Sequence, residues 1–275
     1  RQWKGELYAD VRQTDLAAWS PYIDYPFQVS KGKGSVRAWL TLDHARMEGF
    51  TADVGLVDVH ARLRKTLPPL DLKRVSGRIS ARETIPRGGV EGKPTFGLHG
   101  HSASLTGFSV ETGGGLVMPA TTIMETFIPA SKGQQETVRV SARSLDLATL
   151  AALGTQLPLT PTQRAMLADF GPRGRVENLS AQWQGQYPAI SSYRIKARMV
   201  GLGMQAQAAR LARGKIAAAP AIPGFDNLTG TIDATDKGGA ITVDSAGTVL
   251  QLPAWFANPA MRFDRLDMKA RWSFE

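Results

Sequence analysis

The chain predicts a mostly β protein built from antiparallel strands. Alternation of apolar and polar residues dominates it, turn-forming clusters interrupt that alternation at short intervals, and one five-residue phrase recurs inside the alternating stretches. The phrase is glycine, any residue, a branched aliphatic, any residue, alanine. It reads Gly5-Glu-Leu7-Tyr-Ala9, Gly34-Ser-Val36-Arg-Ala38, Gly77-Arg-Ile79-Ser-Ala81, Gly214-Lys-Ile216-Ala-Ala218 and Gly230-Thr-Ile232-Asp-Ala234. Successive side chains of a strand point to opposite faces, so the glycine, aliphatic and alanine share one face while mostly polar residues take the other. The expected product is a sheet face that is apolar and shallow. The residues alone leave open whether that face serves the protein's own core or a ligand.

Taken in order, alternation marks strands at 3–11, 36–42, 57–63, 75–81, 138–142, 179–185, 193–201, 241–243 and 266–274. Glycine, proline, aspartate and serine clusters bound them. Lys31-Gly-Lys-Gly34, Pro86-Arg-Gly-Gly89, Gly113-Gly-Gly115 and Asp236-Lys-Gly-Gly239 read as tight turns needing positive φ. None is followed by the lysine-serine/threonine or GxGxxG context that would aim backbone amides at a phosphate.

Helices are few. The clearest covers 161–170, with Thr160 as cap, Pro161 at the first position, Gln163 as capping-box partner, and Gly171 and Pro172 as stop signals. A second covers 145–154. Shorter candidates at 15–23 and 253–258 carry Trp19 and Trp255 in the similar phrases Leu-Ala-Ala-Trp and Leu-Pro-Ala-Trp. The expected organisation is one continuous β segment over 1–275 with a helical interruption at 144–171. The alternative is two β domains at 1–143 and 172–275, each of ordinary domain size.

Composition narrows the function. The 33 basic and 24 acidic side chains of the 275 residues give +9, which favours anionic partners. The basic residues are scattered, with no basic run and little aromatic interleaving, so a membrane surface ranks ahead of nucleic acid and no nucleic-acid partner is expected. The absence of cysteine removes disulfides, thiolate zinc sites and cysteine nucleophiles together. No stretch has the length of a transmembrane helix and no signal peptide opens the chain. A strand-like run begins almost at Arg1 and another ends near Glu275, so the chain reads as an excised or processed segment of a longer protein.

Catalytic signals are weak throughout. His99 and His101 lie two apart and would share a strand face, but Gly97-Leu-His-Gly-His has no nearby acidic cluster to complete a metal site. His44 and His60 have no partner in sequence. The acids occupy polar alternating positions or turns, as at Asp53, Asp58, Asp233 and Asp264, where solvation explains them. No serine sits in GxSxG, Gly107-Phe-Ser included. No enzyme, no metal and no cofactor is expected. Trp3, Trp39, Trp183 and Trp272 lie within strands and read either as core or as the lining of a groove.

Longer phrases carry a resemblance. Pro223-Gly-Phe-Asp-Asn-Leu-Thr-Gly-Thr-Ile-Asp-Ala-Thr-Asp-Lys-Gly-Gly, Val243-Asp-Ser, Leu252-Pro-Ala-Trp-Phe and Phe263-Asp-Arg-Leu resemble the repeating unit of the YhdP branch of the AsmA-like proteins of Gram-negative bacteria. Phe170-Gly-Pro-Arg-Gly-Arg-Val-Glu-Asn-Leu-Ser-Ala-Gln-Trp-Gln-Gly185 fits the same pattern, as do Trp3-Lys-Gly-Glu-Leu-Tyr, Arg37-Ala-Trp-Leu40 and Leu67-Pro-Pro-Leu-Asp-Leu72. The similarity fades across 85–132. It implies an elongated antiparallel sheet curled into an open hydrophobic groove, in the periplasmic part of an inner-membrane-anchored protein.

The function it implies is non-enzymatic phospholipid transport between inner and outer membranes, supporting the outer-membrane barrier. The expected partners are phospholipid acyl chains, a membrane surface reached through the parent protein, and other envelope proteins. The competing reading is a closed β scaffold or protein-binding module in envelope assembly. Combining the implied groove with the alternation, the expected groove-lining residues are Leu7, Val36, Leu40, Ile79, Val140, Trp183, Ile195, Met199, Ile232, Ile241, Val243, Met268 and Trp272.

Overall fold

A computed structural model describes residues 4–21, 28–43, 46–83, 100–157, 159–186, 189–209, 221–253, 256 and 258–274. The chain forms two compact units, Arg1–Arg143 with Ser180–Tyr193, and Ser144–Leu179 with Arg194–Glu275. Its twelve named strands are hydrogen-bonded neighbours in strict chain order, and the ladder is not closed into a barrel. The mostly antiparallel β class read from the alternation is the class observed.

In the first unit, β1 (Lys4–Asp15), β2 (Gln28–Asp43), β3 (Arg46–Arg62), β4 (Leu70–Glu83), β5 (His101–Thr112), β6 (Val117–Ile128) and β7 (Thr137–Asp146, as far as Arg143) run as an antiparallel meander. Helix α1 (Leu16–Trp19) follows β1, with the Asp15 carboxylate accepting from the Ala17 amide at 3.0 Å. It is shorter than the 15–23 expectation, whose last residues lie outside the described ones. Gly113-Gly-Gly115 is the β5–β6 turn, as its composition requires.

The Lys31-Gly-Lys-Gly34 cluster is not a turn. It lies inside β2, where the register with β3 shifts between Val29 and Lys31 and again between Lys31 and Lys33. Glycines here serve a bulge rather than a chain reversal. The facing strand adds its own irregularity, Asp58 at φ 50°, a conformation short acidic and amide side chains tolerate.

The second unit contains α2 (Leu147–Leu153), α3 (Pro161–Phe170) and the strands β9 (Ser192–Met204, from Arg194 onward), β10 (Gly224–Thr235), β11 (Gly238–Gln251) and β12 (Ala260–Ser273). Strand β8 (Arg173–Gln184) divides between the units after Leu179. Helix α3 has the full capping box: the Gln163 amide donates to Thr160 Oγ1 at 3.2 Å, and the Thr160 amide donates to Gln163 Oε1 at 2.9 Å. Gly171 ends it in the left-handed region.

The core of this unit centres on Met199, Leu228 and Val243, packed by Leu202, Phe225, Ile241 and Leu266. Beside it a small polar network fixes the β10 bulge. Ser245 Oγ donates to the Asn227 carbonyl at 2.6 Å, and the fully buried Thr248 hydroxyl donates to Ser245 Oγ at 2.7 Å. Every member is satisfied, so burial of these polar groups is compatible with stability.

Candidate functional site: an apolar sheet face

The register places side chains of the first unit into rows that cross all seven strands. One row runs Ala9, Ala38, Ala52, Ile79, Leu105, Ile123, Ala142. The adjacent row on the same face runs Leu7, Leu40, Phe50, Ala81, Ala103, Glu125, Val140. A third contains Val11, Val36, Val54 and Gly77. At neighbour spacings of about 4.8 Å, each seven-strand row extends about 29 Å. The aliphatic and alanine positions of three copies of the recurring phrase all fall on this face. Of the other two copies, the one at 214–218 lies outside the described residues.

Exposure changes along the strands. Leu56, Val59, Leu72, Val75, Val110 and Met118 are buried, at the end where α1 packs Leu16 over Gly32 and Val59. Towards the other end the apolar residues are half-buried, and Leu7 is 53% exposed. One end of the face is therefore sealed core, and the remainder is an apolar surface that the first unit itself does not cover.

The second unit repeats the arrangement on β9 to β12. Its rows are Ile195, Ala234, Gly239, Trp272; then Ala197, Ile232, Ile241, Ala270; then Met199, Gly230, Val243, Met268. Ile195 and Met268 are exposed, whereas Met199 and Val243 are buried, Val243 to 1%. Those two belong to the packed core described above. Gly239 leaves room for the Trp272 ring, since a Cβ there would lie 2.5 Å from its Cζ2.

Each residue expected to line a groove thus falls on the apolar face of its own unit. For Trp183 the argument is indirect: Gln182 accepts from Arg139 Nε at 3.2 Å on the polar face of β7, which turns the next residue to the other face. Sequence reasoning missed Phe50, Val54, Leu105 and Ile123. The missing signal for β5 and β6 was the Gly113-Gly-Gly115 turn itself, since a hairpin turn requires two flanking strands. It also missed Glu125, a carboxylate in an otherwise apolar row, whose Oε2 lies 3.9 Å from His101 Nε2.

The opposite face of the first unit is polar and charge-paired. Asp10, Arg37, Asp53 and Arg78 form one row, in which Asp53 accepts from Arg78 Nε at 2.6 Å and from Nη2 at 2.9 Å. These hydrogen bonds, with the nearby Arg78 and Arg37 charges, hold the Asp53 carboxyl below the usual carboxylate range despite some desolvation. Lys73 acts likewise on Glu111. Among the described residues, no group of three histidine, cysteine or acidic side chains converges to hold a metal.

A family model described as YhdP protein matches residues 1–275. The chain belongs to the YhdP family. Neither a curated protein nor a solved structure matches it. The YhdP family is associated with bridge-like lipid transport in the cell envelope and is not known as enzymatic. Among the described residues, no helix is long and apolar enough to cross a membrane.

Proposed function

We propose that this YhdP-family chain conducts phospholipid between the inner and outer membranes by laying acyl chains on its apolar sheet faces. The observation that carries the reading is the pair of apolar rows spanning seven strands in the first unit and left uncovered by that unit at the Leu7 end. Water opposes unaided transfer by about 0.8 kcal/mol per methylene, on the order of 10 kcal/mol per chain. A row of about 29 Å is longer than the roughly 15 Å that one leaflet's chains occupy, half a bilayer core. Alanine and branched aliphatic residues offer such a chain contact without a shaped pocket, while the charged head group stays in water.

In this reading the chain is a periplasmic segment of a parent protein anchored in the inner membrane, and it works without catalysis to maintain the outer-membrane barrier. Other envelope proteins are its further partners. The packed Met199–Leu228–Val243 cluster favours a scaffold role for that part of the second unit.

Photocrosslinking tests the assignment face by face. A benzophenone amino acid at Leu7 or Met268 should form phospholipid adducts in cells, detected by mass spectrometry, while the same group at the neighbouring Glu6 or Asp267 should not. Equal labelling at both positions, or none at either, would refute it.

A further inference from the structure

The polar face of the first unit carries a cavity that lipid transport does not use. Its volume is about 260 Å³, and it opens over two cross-strand rows. Trp39, Thr51, Ser80, Ser104 and Met124 form one row, and Thr41, Gly49, Arg82, Ser102 and Thr126 the other. Gly49 is the floor: it is buried, and a Cβ there would lie 3.1 Å from the Ala81 carbonyl oxygen. Small hydroxyl residues around it keep the cavity open, and Met124 and Trp39 stand at its sides.

Two contacts hold the indole in place. Tyr8 packs against it with ring centroids 5.3 Å apart and planes tilted 41°, and the Arg78 guanidinium lies 5.6 Å from its centroid. Arg78 is in turn held by Asp53. The ring is therefore positioned while still 37% exposed beside the cavity. Arg82 differs from Arg37 and Arg78, its neighbours on this face. Arg37 and Arg78 share Asp53, whereas Arg82 makes no ion pair among the described residues and lines the cavity as an exposed cation.

Phe50, Ala81, Ala103 and Glu125 complete the lining. A positioned aromatic surface, the hydroxyls of Thr41, Ser102, Ser104 and Thr126 beside the mutually bonded Thr51 and Ser80, and the Arg82 guanidinium call for a ligand with an apolar ring face, ring hydroxyls and one negative charge. We infer that this cradle binds an acidic sugar of a glycan, its ring against Trp39, its hydroxyls on the serine and threonine side chains, and its carboxylate on Arg82.

The test is calorimetric titration and saturation-transfer NMR of the whole chain with three probes: a tetrasaccharide alternating glucuronate and N-acetylglucosamine, neutral maltotetraose, and acetate. The acidic tetrasaccharide should bind at least tenfold more tightly than either control. Arg82→Gln should erase that preference, and Ser104→Leu, which fills the cradle without touching the indole, should abolish binding while the circular dichroism stays that of the parent chain. No saturable binding of the tetrasaccharide would overturn the inference. So would acetate competing at equal concentration, which would mark a simple anion site, or a preference unchanged by Arg82→Gln.

Discussion

Replacing Gly34 by alanine tests what the glycine of the recurring phrase is for. Gly34 has φ +147°, and an added Cβ would lie 2.1 Å from the Gly55 carbonyl oxygen and 2.9 Å from the Leu56 Cα. Both are backbone atoms of β3, so no side chain can swing aside. An ordinary carbon–oxygen contact is about 3.3 Å, so the strands must part by about 1.2 Å. Strain at such a φ costs about 1–3 kcal/mol, and losing one or two ladder hydrogen bonds adds about 1 kcal/mol each, for a total of about 2–5 kcal/mol. Gly107 is the control: its φ is +57° but nothing lies within 4 Å of an added Cβ, so Gly107→Ala should cost only about 1–2 kcal/mol. Urea unfolding followed by circular dichroism compares the two, and hydrogen exchange of β2 and β3 peptides locates the damage. A Gly34→Ala midpoint equal to that of Gly107→Ala would refute the close-approach argument.

The sealed and open parts of the apolar faces should respond differently to truncation. Val243→Ala removes buried methyl groups from a packed cluster and should cost about 2–3 kcal/mol in denaturant unfolding, while Leu7→Ala should cost less than about 0.5 kcal/mol. Thr248→Val keeps the shape but removes one of the two donors to Ser245 Oγ, leaving the Thr229 amide; a loss of about 1 kcal/mol is expected by the same measurement, and no loss would show the Thr248 bond to be idle. Arg78→Gln should raise the Asp53 pKa towards 3.8, read from its carboxyl carbon resonance. Because the folded-state value is depressed, the stabilisation is complete above 3.8 and lost as pH falls through the folded value; the stability difference between parent and variant should close in that range.

Strand existence was legible where one face was apolar and the other charged. Val36-Arg-Ala38-Trp-Leu40 alternates cleanly, and its partners Val54, Ala52 and Phe50 answer it residue for residue. Strand β5 was obscure because Ser102, Ser104 and Ser109 put small hydroxyls on its polar face, where β2 carries arginine and tryptophan, so the contrast between faces is low. The bulges were not legible at all. Asp58 adopts positive φ inside the stretch 57–63 that reads as plain strand, and Asn178 and Asn227 do so within β8 and β10, because the conformation is imposed by pairing with a neighbour. Of the candidate site, the identity of the apolar face followed from period two alone. Which of its residues are covered did not, since Val36 and Val243 occupy the same position of the alternation and differ only in what packs above them.

The phrase itself divides its labour. Its aliphatic and alanine positions build the rows, and alternation would place them on one face with any small residue before them. Its glycines at 34, 77 and 230 answer to a different demand, because a Cβ at each would fall within 2.6 Å of neighbouring backbone. Register shifts lie beside all three, between Val11 and Thr14 facing Gly34, between Ser76 and Arg78 around Gly77, and between Asp226 and Gly230. Bulges increase local twist and bend the strand that carries them. In each case the extra backbone lies on the neighbouring strand, so the glycine does not make the apolar face shallow so much as make room for that bulged backbone to close against it. In the first unit this separates two parts of the face: the end beneath α1 is sealed core, and the half-buried rows leading to Leu7 are left uncovered by the unit itself.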